Sequence, residues 1–417
     1  MLKSLGIVDA GALGYYYFME GFVKGMLGRA DQVDLARAIT EPLAEDIHLA
    51  GVQDEIEFRY CTEVLLESNN LNGDALRDAL RPLGDCLLVS QSDTLARVHI
   101  HTNEPAQVIR HAAKQGKILE HKADDMVWQN HLAGAREAKI ACVTDSIADL
   151  PLEFIRQHNV FQIPINIMVN GVSYLDKVTI DSHYLQENIV GASTAQLNTV
   201  QILDFMTPIL NRYDNVIILT VSAQMSGTYD RFREALAELP EARDRIALID
   251  TKVNSGAEGL LVMETVRLIE EGRDFAGIVS AIEAMRARAK IVVSVLDIGP
   301  MARSGRVSER IGDLLIKLRF KPLITINPEG KGTIKGVAFS DKKNWKNLIR
   351  ALRGKPVGDY AVVHADAPKR ASLLAEEMTR LTGRAPLYIT AISSAVVLFA
   401  GTGSVAVAYL EKEIHTT

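Results

Sequence analysis

The chain has 417 residues, of which 47% are hydrophobic, and a formal net charge of −6. This length exceeds that of one ordinary domain, so two or three domains are expected. A nucleic-acid-binding face requires an excess of Lys and Arg, so the negative charge argues against nucleic acid as the main partner. The three cysteines argue against a disulfide framework and favour a reducing cytoplasm as the compartment.

The first third of the chain predicts a helix, a linker and a small α/β domain. Residues 1–29 indicate one amphipathic helix after a short turn, and residues 30–50 indicate a polar linker with a weak helix near residues 35–39. Residues 51–137 then alternate between strands and helices. The predicted strands are IEFRYCTEVLLE, DCLLVSQS and LARVHIHTN, and the predicted helices are NGDALRDALRPLG, which Asn72 starts, and EPAQVIRHAAKQG.

From residue 138 onward, apolar strands alternate with helices, which predicts a mostly parallel sheet covered on both faces. The strands of this alternation are KIACVTDS, NVIILTVS, RIALIDTKV and KIVVSVLDI. The later segments KPLITINPEGKGTIKGVAFS, DYAVVHAD and PLYITAIS carry strand and hairpin signals, including Pro328-Glu329-Gly330. They predict a second lobe with a mixed sheet.

One uncharged segment, residues 385–410, is long enough to span a membrane. Gly401-Thr402-Gly403 interrupts it, and Ser and Thr residues are scattered through it. A buried strand, a glycine turn and a buried helix explain this segment better than a membrane span.

The stretch VIILTVSAQMSGTYDRFREAL predicts a buried strand, a turn rich in oxygen atoms and a helix that opens at Gly227. Free amide groups at such a helix start carry partial positive charge and bind anions such as carboxylate or phosphate. Two other strand ends carry polar clusters, Thr144-Asp145-Ser146 and Asp250-Thr251-Lys252. In an open α/β sheet ligands bind at this edge, although helix capping explains Asp145 and Ser146 equally well.

Other interpretations of these motifs stay open. Neither GxGxxG nor GxxxxGK[ST] follows any of the three strands, so a dinucleotide or P-loop site has little support. Ser226 is a candidate hydrolase nucleophile with His364 as its base, but its flanking residues do not form GxSxG. Arg306, in the glycine turn MARSGRVSE, is either a ligand for carboxylate or phosphate or a solvated loop residue.

The segment ARVHIHTN predicts a metal site. The period of a strand places His99 and His101 on one face, and Cys61 lies on another predicted strand of the same domain. Two imidazoles and one thiolate with an open fourth position suit zinc. Glu63 or a water molecule would complete the shell, and the alternative is two exposed histidines beside a buried free cysteine.

The motifs of residues 138–412 resemble those of the DegV family of two-lobed fatty-acid-binding proteins. The matching segments, in the family's order, are VTDSIADLP, VSYLDKVTI, STAQLNTVQILDF, SAQMSGTYDRF, IDTKVNSGAEGLLV, MARSGRVSE, KPLITINPEG and AGTGSVAVAY. The resemblance implies an α/β fold with a parallel Rossmann-like sheet and a mixed-sheet lobe, and a long-chain fatty acid between them. Thr194 and Ser226 would hold the carboxylate, Gly227 would supply an amide, and Arg306 would contact the carboxylate or an acyl-phosphate. The remaining residues of this fatty-acid site are Thr228, Asp145, Ser146 and Gln196.

The chain departs from the family pattern at three positions. The family's TSQP is Thr194-Ala195-Gln196-Leu197, and its GGR is Ser304-Gly305-Arg306. Phe399 stands where the family has a histidine of the headgroup site. This change weakens the case for acyl-phosphate handling more than the case for lipid binding.

The first third resembles a different family. Residues 5–22 are similar to the last helix of a DhaL-type kinase domain, and residues 59–67 and 83–109 are similar to the middle domain of the fatty acid kinase. In that middle domain a Cys and an HxH pair bind zinc, which corresponds to Cys61, His99 and His101. The ATP-binding body of the DhaL domain is missing from the sequence, so we expect no kinase activity from this chain.

These resemblances predict three domains, with residues 1–29 as a remnant DhaL-type helix, 30–137 as the kinase-type middle domain and 138–417 as the DegV-like domain. The expected function is a cytoplasmic fatty-acid carrier, without a transmembrane segment, that presents its ligand to a DhaL-type kinase subunit. The alternative is the non-catalytic portion of a fatty acid or dihydroxyacetone-type kinase.

Overall fold

The computed structural model describes residues 10–27, 56–297, 299, 301 and 320–412. The chain divides into two compact units, residues 1–56 and 57–417. The first unit contains helix α1 (Ala10–Met26), on which the exposed Phe18 and Phe22 rings stack with centroids 6.4 Å apart. Helix α1 agrees with the predicted N-terminal helix, and the weak helix predicted near residues 35–39 lies outside the described residues.

The second unit begins with a four-stranded antiparallel sheet in the order β2-β3-β1-β4. The elements are β1 (Tyr60–Glu67), α2 (Gly73–Leu80), β2 (Gly84–Gln91), β3 (Leu95–Thr102), α3 (Pro105–Ala113), β4 (Lys117–Asp125) and α4 (Met126–Leu132). Alternation along β1 buries Val64 and Leu66 in the core, which leaves Cys61 and Glu63 on the other face. The predicted cap is confirmed, because Asn72 Oδ1 accepts the Ala75 amide at 3.0 Å. The sequence pattern did not indicate β4, whose residues KILEHKADD are largely polar and form an edge strand.

Residues 137–285 form the first lobe. Its elements are β5 (Glu137–Asp145), α5 (Leu152–Gln157), β6 (Phe161–Ile163), β7 (Asn166–Val169), β8 (Val172–Leu175), α6 (Ser182–Glu187), β9 (Ser193–Ala195), α7 (Thr199–Arg212), β10 (Tyr213–Thr220), α8 (Thr228–Leu236), β11 (Ile246–Asp250), α9 (Ser255–Glu270) and α10 (Phe275–Met285). Strands β11-β10-β5-β6 form the predicted parallel sheet. The three polar strand ends found in the sequence therefore lie at one edge of this sheet. A small antiparallel sheet, β8-β7-β9, pairs Thr194 with Ile167.

Residues 289–411 contain the second lobe. Its elements are β12 (Ala289–Ser294), β13 (Lys321–Ile326), β14 (Gly332–Ala338), α11 (Asp341–Leu352), β15 (Val357–His364), α12 (Pro368–Thr382), β16 (Ile389–Ala391), α13 (Ser394–Ala400) and β17 (Val405–Glu411). The sheet order is β14-β13-β12-β17-β15-β16, and only β15 and β16 pair in parallel. The predicted hairpin is confirmed between β13 and β14, where Gly330 has φ of 90° and its amide bonds Asn327 O at 2.9 Å.

Two predictions about the second lobe need correction. Strand β12, counted with the parallel alternation, pairs antiparallel with β13 and β17, because an apolar strand pattern specifies burial but no partner. The uncharged segment 385–410 runs in the order strand β16, helix α13, glycine turn and strand β17, not strand, turn and helix. Among the described residues, no helix combines the length and apolarity that crossing a membrane requires.

The small domain packs directly on the first lobe. The Trp128 ring contacts Phe161 and Phe205, with centroid separations of 5.3 Å and 5.9 Å. Arg110 forms an ion pair with Asp181 at 3.2 Å. Aromatic rings packed at these separations stabilise the contact between the small domain and the first lobe.

Candidate functional site

The turn after β10 lies at the carboxyl end of a buried strand, as predicted. The side chains of Val216–Leu219 are 0% exposed. Ser222 Oγ donates to Gly330 O at 2.8 Å, which joins this turn to the β13–β14 hairpin of the second lobe. Gly227 is the N-cap of α8, and within the described ranges no side chain caps this helix. Apart from the amide of Thr228, the first amide groups of α8 therefore stay available for an anion.

Two hydroxyl groups and one amide side chain surround this helix start. Ser226 Oγ and Thr228 Oγ1 are 2.8 Å apart, and the Thr228 amide donates to Ser226 Oγ at 3.3 Å. Gln196 Nε2 lies 2.5 Å from the position that a Cβ atom on Gly227 would occupy. Glycine at this position therefore allows the Gln196 amide to approach the backbone closely.

One cavity of about 1200 Å³ brings together the predicted residues Thr194, Gln196, Ser226, Gly227 and Thr228. It lies between the lobes, with one wall from β9 and the turn after β10 and the other wall from the second sheet and α13. Apolar side chains of the second wall include Ile291, Val293, Ile324, Ile326, Val363, Leu398 and Val405. The cavity exceeds the ~300–1,000 Å³ typical of small-molecule pockets.

The lining of this cavity is poor in charge. Asp297 and His364 are the ionisable side chains among its described lining residues, and none of these is Lys or Arg. Within the described part of the chain, no residue hydrogen-bonds to Thr194 Oγ1, so this hydroxyl can serve a ligand. Arg306, the predicted cationic contact, lies outside the described residues.

Asp145 and Ser146 lie beneath the cavity and do not line it. The Asp145 carboxylate accepts the amides of Ile147 and Val221, both at 2.9 Å. Ser146 Oγ donates to Asp176 Oδ2 at 2.6 Å. These bonds hold the strand end and the turn in place. Neither residue caps a helix, because α5 begins at Leu152 with Pro151 as its N-cap, so the two residues support the turn beneath the cavity.

Asp145 belongs to a group of buried carboxyls that the sequence did not reveal. Asp149 Oδ1 accepts the Ser393 amide, and Asp176 Oδ1 accepts the Ser394 amide, both at 2.8 Å. These two bonds anchor the start of α13, whose later residues line the cavity. The two aspartates thereby link the lobes.

Burial raises the pKa of Asp145 and of Asp176 to about 6. Burial also raises the pKa of Glu258 well above its usual range, with the carboxylates of Asp145 and Asp149 adding to the shift. Glu258 Oε2 has no hydrogen-bond partner among the described residues, and Lys177 Nζ lies 3.0 Å from Asp149 Oδ1. Lys177 remains partly exposed to solvent, so it does not balance the charge of several buried carboxyls, which favours the neutral form of Glu258.

The serine hydrolase interpretation lacks its central contact. The Ser226 hydroxyl bonds Thr228, and His364 Nδ1 accepts the Ala367 amide at 3.3 Å. No hydrogen bond joins Ser226 to His364, although both residues lie within the described ranges and line the same cavity. A nucleophilic serine requires a base within hydrogen-bond reach. Phe399 also lines the cavity, so an apolar ring stands where the family has an imidazole.

The predicted metal ligands lie together on the open face of the small domain. Strands β1 and β3 pair Cys61 with His101, and the ligand atoms of Cys61, His99 and His101 lie within 4.8 Å of one another. Cys61 Sγ is 3.9 Å from His99 Nδ1, and a tetrahedral zinc ion would hold sulfur and nitrogen roughly 3.5 Å apart. Glu63 Oε1 lies 3.5 Å from His99 Nδ1. The residues fit a metal ion with small side-chain rotations.

Two family profiles match the chain. Residues 139–412 match the profile described as "Uncharacterised protein, DegV family". Residues 57–132 match the profile of the middle domain of fatty acid kinase proteins of the FakA-like type. Both matches agree with the resemblances expected from the motifs.

Relatives of known sequence match different shares of the chain. A DegV domain-containing protein from Streptococcus pneumoniae is 24% identical over 280 residues, which covers 65% of this chain and 99% of that protein. An uncharacterized protein from Staphylococcus epidermidis is 31% identical over 137 residues, which covers 31% of this chain and 25% of that protein.

Solved structures share the two-lobed fold. A fatty acid binding DegV family protein from Streptococcus agalactiae superposes with a TM-score of 0.60 at 24% identity, over 66% of this chain and 100% of that one. A DegV family protein from Eubacterium eligens, loaded with heptadecanoic acid, gives a TM-score of 0.58 at 21% identity over the same shares. The profile match over residues 139–412 spans more than half of the sequence, and the chain therefore belongs to the DegV family.

Proposed function

We propose that this protein binds a long-chain fatty acid between its two lobes. The observation that carries the proposal is a single cavity of about 1200 Å³ that joins the hydroxyl-rich start of α8 to an apolar wall of the second sheet. The carboxylate would lie against Thr194, Ser226, Thr228 and the Gly227 amide, and Gln196 would flank it. The DegV family relative loaded with heptadecanoic acid supports this ligand class.

The acyl chain would supply most of the binding energy. Burying an alkyl chain is worth about 0.8 kcal/mol per CH₂, so twelve or more methylenes give roughly 10 kcal/mol before the costs of association. Each hydrogen bond to the carboxylate adds about 1.5–3 kcal/mol. The headgroup contacts therefore orient the ligand, and Arg306 would add a charge-assisted contact.

Native mass spectrometry of the protein purified from cells tests this function. We expect an acyl ligand that denaturation releases, and micromolar or tighter binding when the delipidated protein is titrated with long-chain acids. Failure of acids of any length from decanoic to octadecanoic to bind would refute the proposal.

We further propose that the protein presents its ligand to a DhaL-type kinase subunit. The match of residues 57–132 to the middle domain of a fatty acid kinase supports this role. We take residues 1–29, 30–137 and 138–417 as the three domains. We propose the cytoplasm as the compartment, because its reducing environment suits three free thiols. The Phe399 ring cannot hydrogen-bond a phosphoryl group. We therefore assign fatty-acid binding, and not phosphate chemistry, to the cavity that Phe399 lines.

The middle-domain match also favours a second candidate, the non-catalytic portion of a fatty acid or dihydroxyacetone-type kinase. The DNA preceding the codon for Met1 discriminates between the two. An in-frame DhaL-like sequence supports the kinase portion, and in-frame stop codons support the carrier.

We also propose that Cys61, His99 and His101 bind zinc. A zinc ion there would cross-link β1 to β3 and add folding free energy to the small domain. Elemental analysis of the purified protein should give close to one equivalent, and Cys61→Ser should lose it. Less than about a tenth of an equivalent in the wild type would count against the site.

A further inference from the structure

Strand β2 contains an irregularity beside the metal ligands. Its pairing with β3 shifts register between Asp85 and Leu88, and Cys86 within this bulge has φ of 50°. Bulges re-aim side chains, and a non-glycine residue in the left-handed region is held there by its surroundings. Here the bulge brings the ligand atoms of Asp85, Cys86 and His101 within 4.8 Å of one another.

His101 is therefore shared by two groups of ligands. On one side of β3 it lies with His99 and Cys61 of β1, and on the other side it lies with Cys86 of β2. The sheet order β2-β3-β1 places the two thiols on the strands that flank the two imidazoles. Four ligands of the kind zinc prefers thus come from three adjacent strands.

We propose that Cys86 is the fourth ligand and closes a Cys₂His₂ metal site with Cys61, His99 and His101. This inference rests on the zinc part of the proposed function. A thiolate is the stronger ligand for zinc in closed sites, and the Cys86 side chain is exposed, so it can rotate toward the ion without repacking the core.

Two carboxylates lie beside the imidazoles of the proposed site. Asp85 Oδ1 lies 3.5 Å from His101 Nδ1, and Glu63 Oε1 lies at the same distance from His99 Nδ1. Carboxylates that accept the ring N–H of a metal-bound histidine fix its tautomer and orientation. Asp85 can accept the Nδ1–H of His101 when Nε2 of that ring holds the ion, whereas Glu63 lies against His99 Nδ1, the nitrogen that also faces Cys61, and therefore competes with the Cys86 thiol for the remaining position. Zinc prefers a thiolate in closed sites, so we assign that position to Cys86.

A closed shell has a structural consequence. The ion would tie the edge strand β2 to β3 and β1, and it would leave no open position for an activated water molecule. The site would then stabilise the small domain and would not catalyse hydrolysis.

Cobalt substitution of the full-length protein tests this inference, because thiolate-to-cobalt charge-transfer absorption rises with the number of bound thiolates. We expect the wild type and the Cys142→Ala control, which changes a buried thiol in the first lobe, to show the absorption of two thiolates. Cys86→Ser should show the absorption of one thiolate and lose more affinity than the roughly 10–100-fold that removing an outer-shell partner costs. Asp85→Asn should keep the absorption of two thiolates.

The possible failures are distinguishable. A one-thiolate spectrum in the wild type, unchanged by Cys86→Ser, would refute the role of Cys86 and leave the three-ligand site intact. A wild-type protein that binds no cobalt or zinc would refute the metal site itself. Far-UV circular dichroism with a chelator present shows whether each variant is folded before metal is added, and neither outcome bears on fatty-acid binding.

Discussion

Replacing Thr194 with Val removes one hydroxyl from the cavity and preserves the shape of the side chain. No described residue hydrogen-bonds to Thr194 Oγ1, so the substitution leaves no protein group unsatisfied. We expect it to weaken the binding of the fatty acid and to leave the stability of the protein unchanged. A hydrogen bond to a charged acceptor is worth about 1.5–3 kcal/mol. We therefore expect the fatty acid to bind Thr194→Val roughly 10–150-fold more weakly than the wild type.

Isothermal titration calorimetry of the delipidated protein with a long-chain acid and its methyl ester measures this effect. The ester carries no charge, so its loss should be smaller, within about 10-fold, as for a neutral hydrogen bond. Thr207→Val is the matched control, because its hydroxyl bonds Leu203 O within helix α7, away from the cavity. Equal losses for acid and ester in Thr194→Val would refute headgroup recognition by this hydroxyl.

Three further predictions concern stability and ligand selection. Glu258→Gln should stabilise the protein more at pH 8 than at pH 4, because burial raises the pKa of Glu258 well above its usual range and the wild type therefore loses stability as the pH rises, whereas the glutamine does not titrate. The buried aspartates Asp145 and Asp176 have pKa values raised to about 6, so the melting temperature of the wild type should fall as the pH rises from about 4 through 6. Glu258→Gln should reduce the further fall in melting temperature above pH 6. An equal dependence of melting temperature on pH in the two proteins would contradict a raised pKa of Glu258. Val293→Trp should fill part of the cavity beside the apolar wall and exclude about four methylenes of the acyl chain. The affinity for octadecanoic acid should then fall by ~100-fold, and the affinity for decanoic acid should not change. Equal losses of affinity for both acids in calorimetry would argue against an acyl chain at this wall. Gly227→Ala places a Cβ atom 2.5 Å from Gln196 Nε2, and the Gln196 side chain can move away. The fatty-acid affinity should therefore fall several-fold, while the free energy of unfolding changes by less than ~1 kcal/mol. A large loss of stability would show that Gly227 has a structural role instead.

Local sequence patterns predicted the elements that their own residues stabilise. The apolar run Val216–Leu219 forms a buried strand, and the helix predicted to open at Gly227 begins with Gly227 as its N-cap. The period of β3 places His99 and His101 on one face for the same reason. The motifs that follow the order of the DegV family also predicted Thr194 and Ser226 in one site. Both residues line the cavity between the lobes, which is consistent with this prediction.

Only the tertiary structure decided which polar residues reach the cavity and which are buried beneath it. Asp145 and Thr194 both occur in polar motifs, yet packing buries the first completely and leaves the second facing the cavity. The antiparallel partners of β12 and the bulge at Cys86 arise from contacts between distant segments, which no local period encodes. The sequence alone thus determined the helix start at which we propose the carboxylate binds, whereas long-range packing determined the apolar wall opposite it, because a strand's period specifies its faces but not its neighbours.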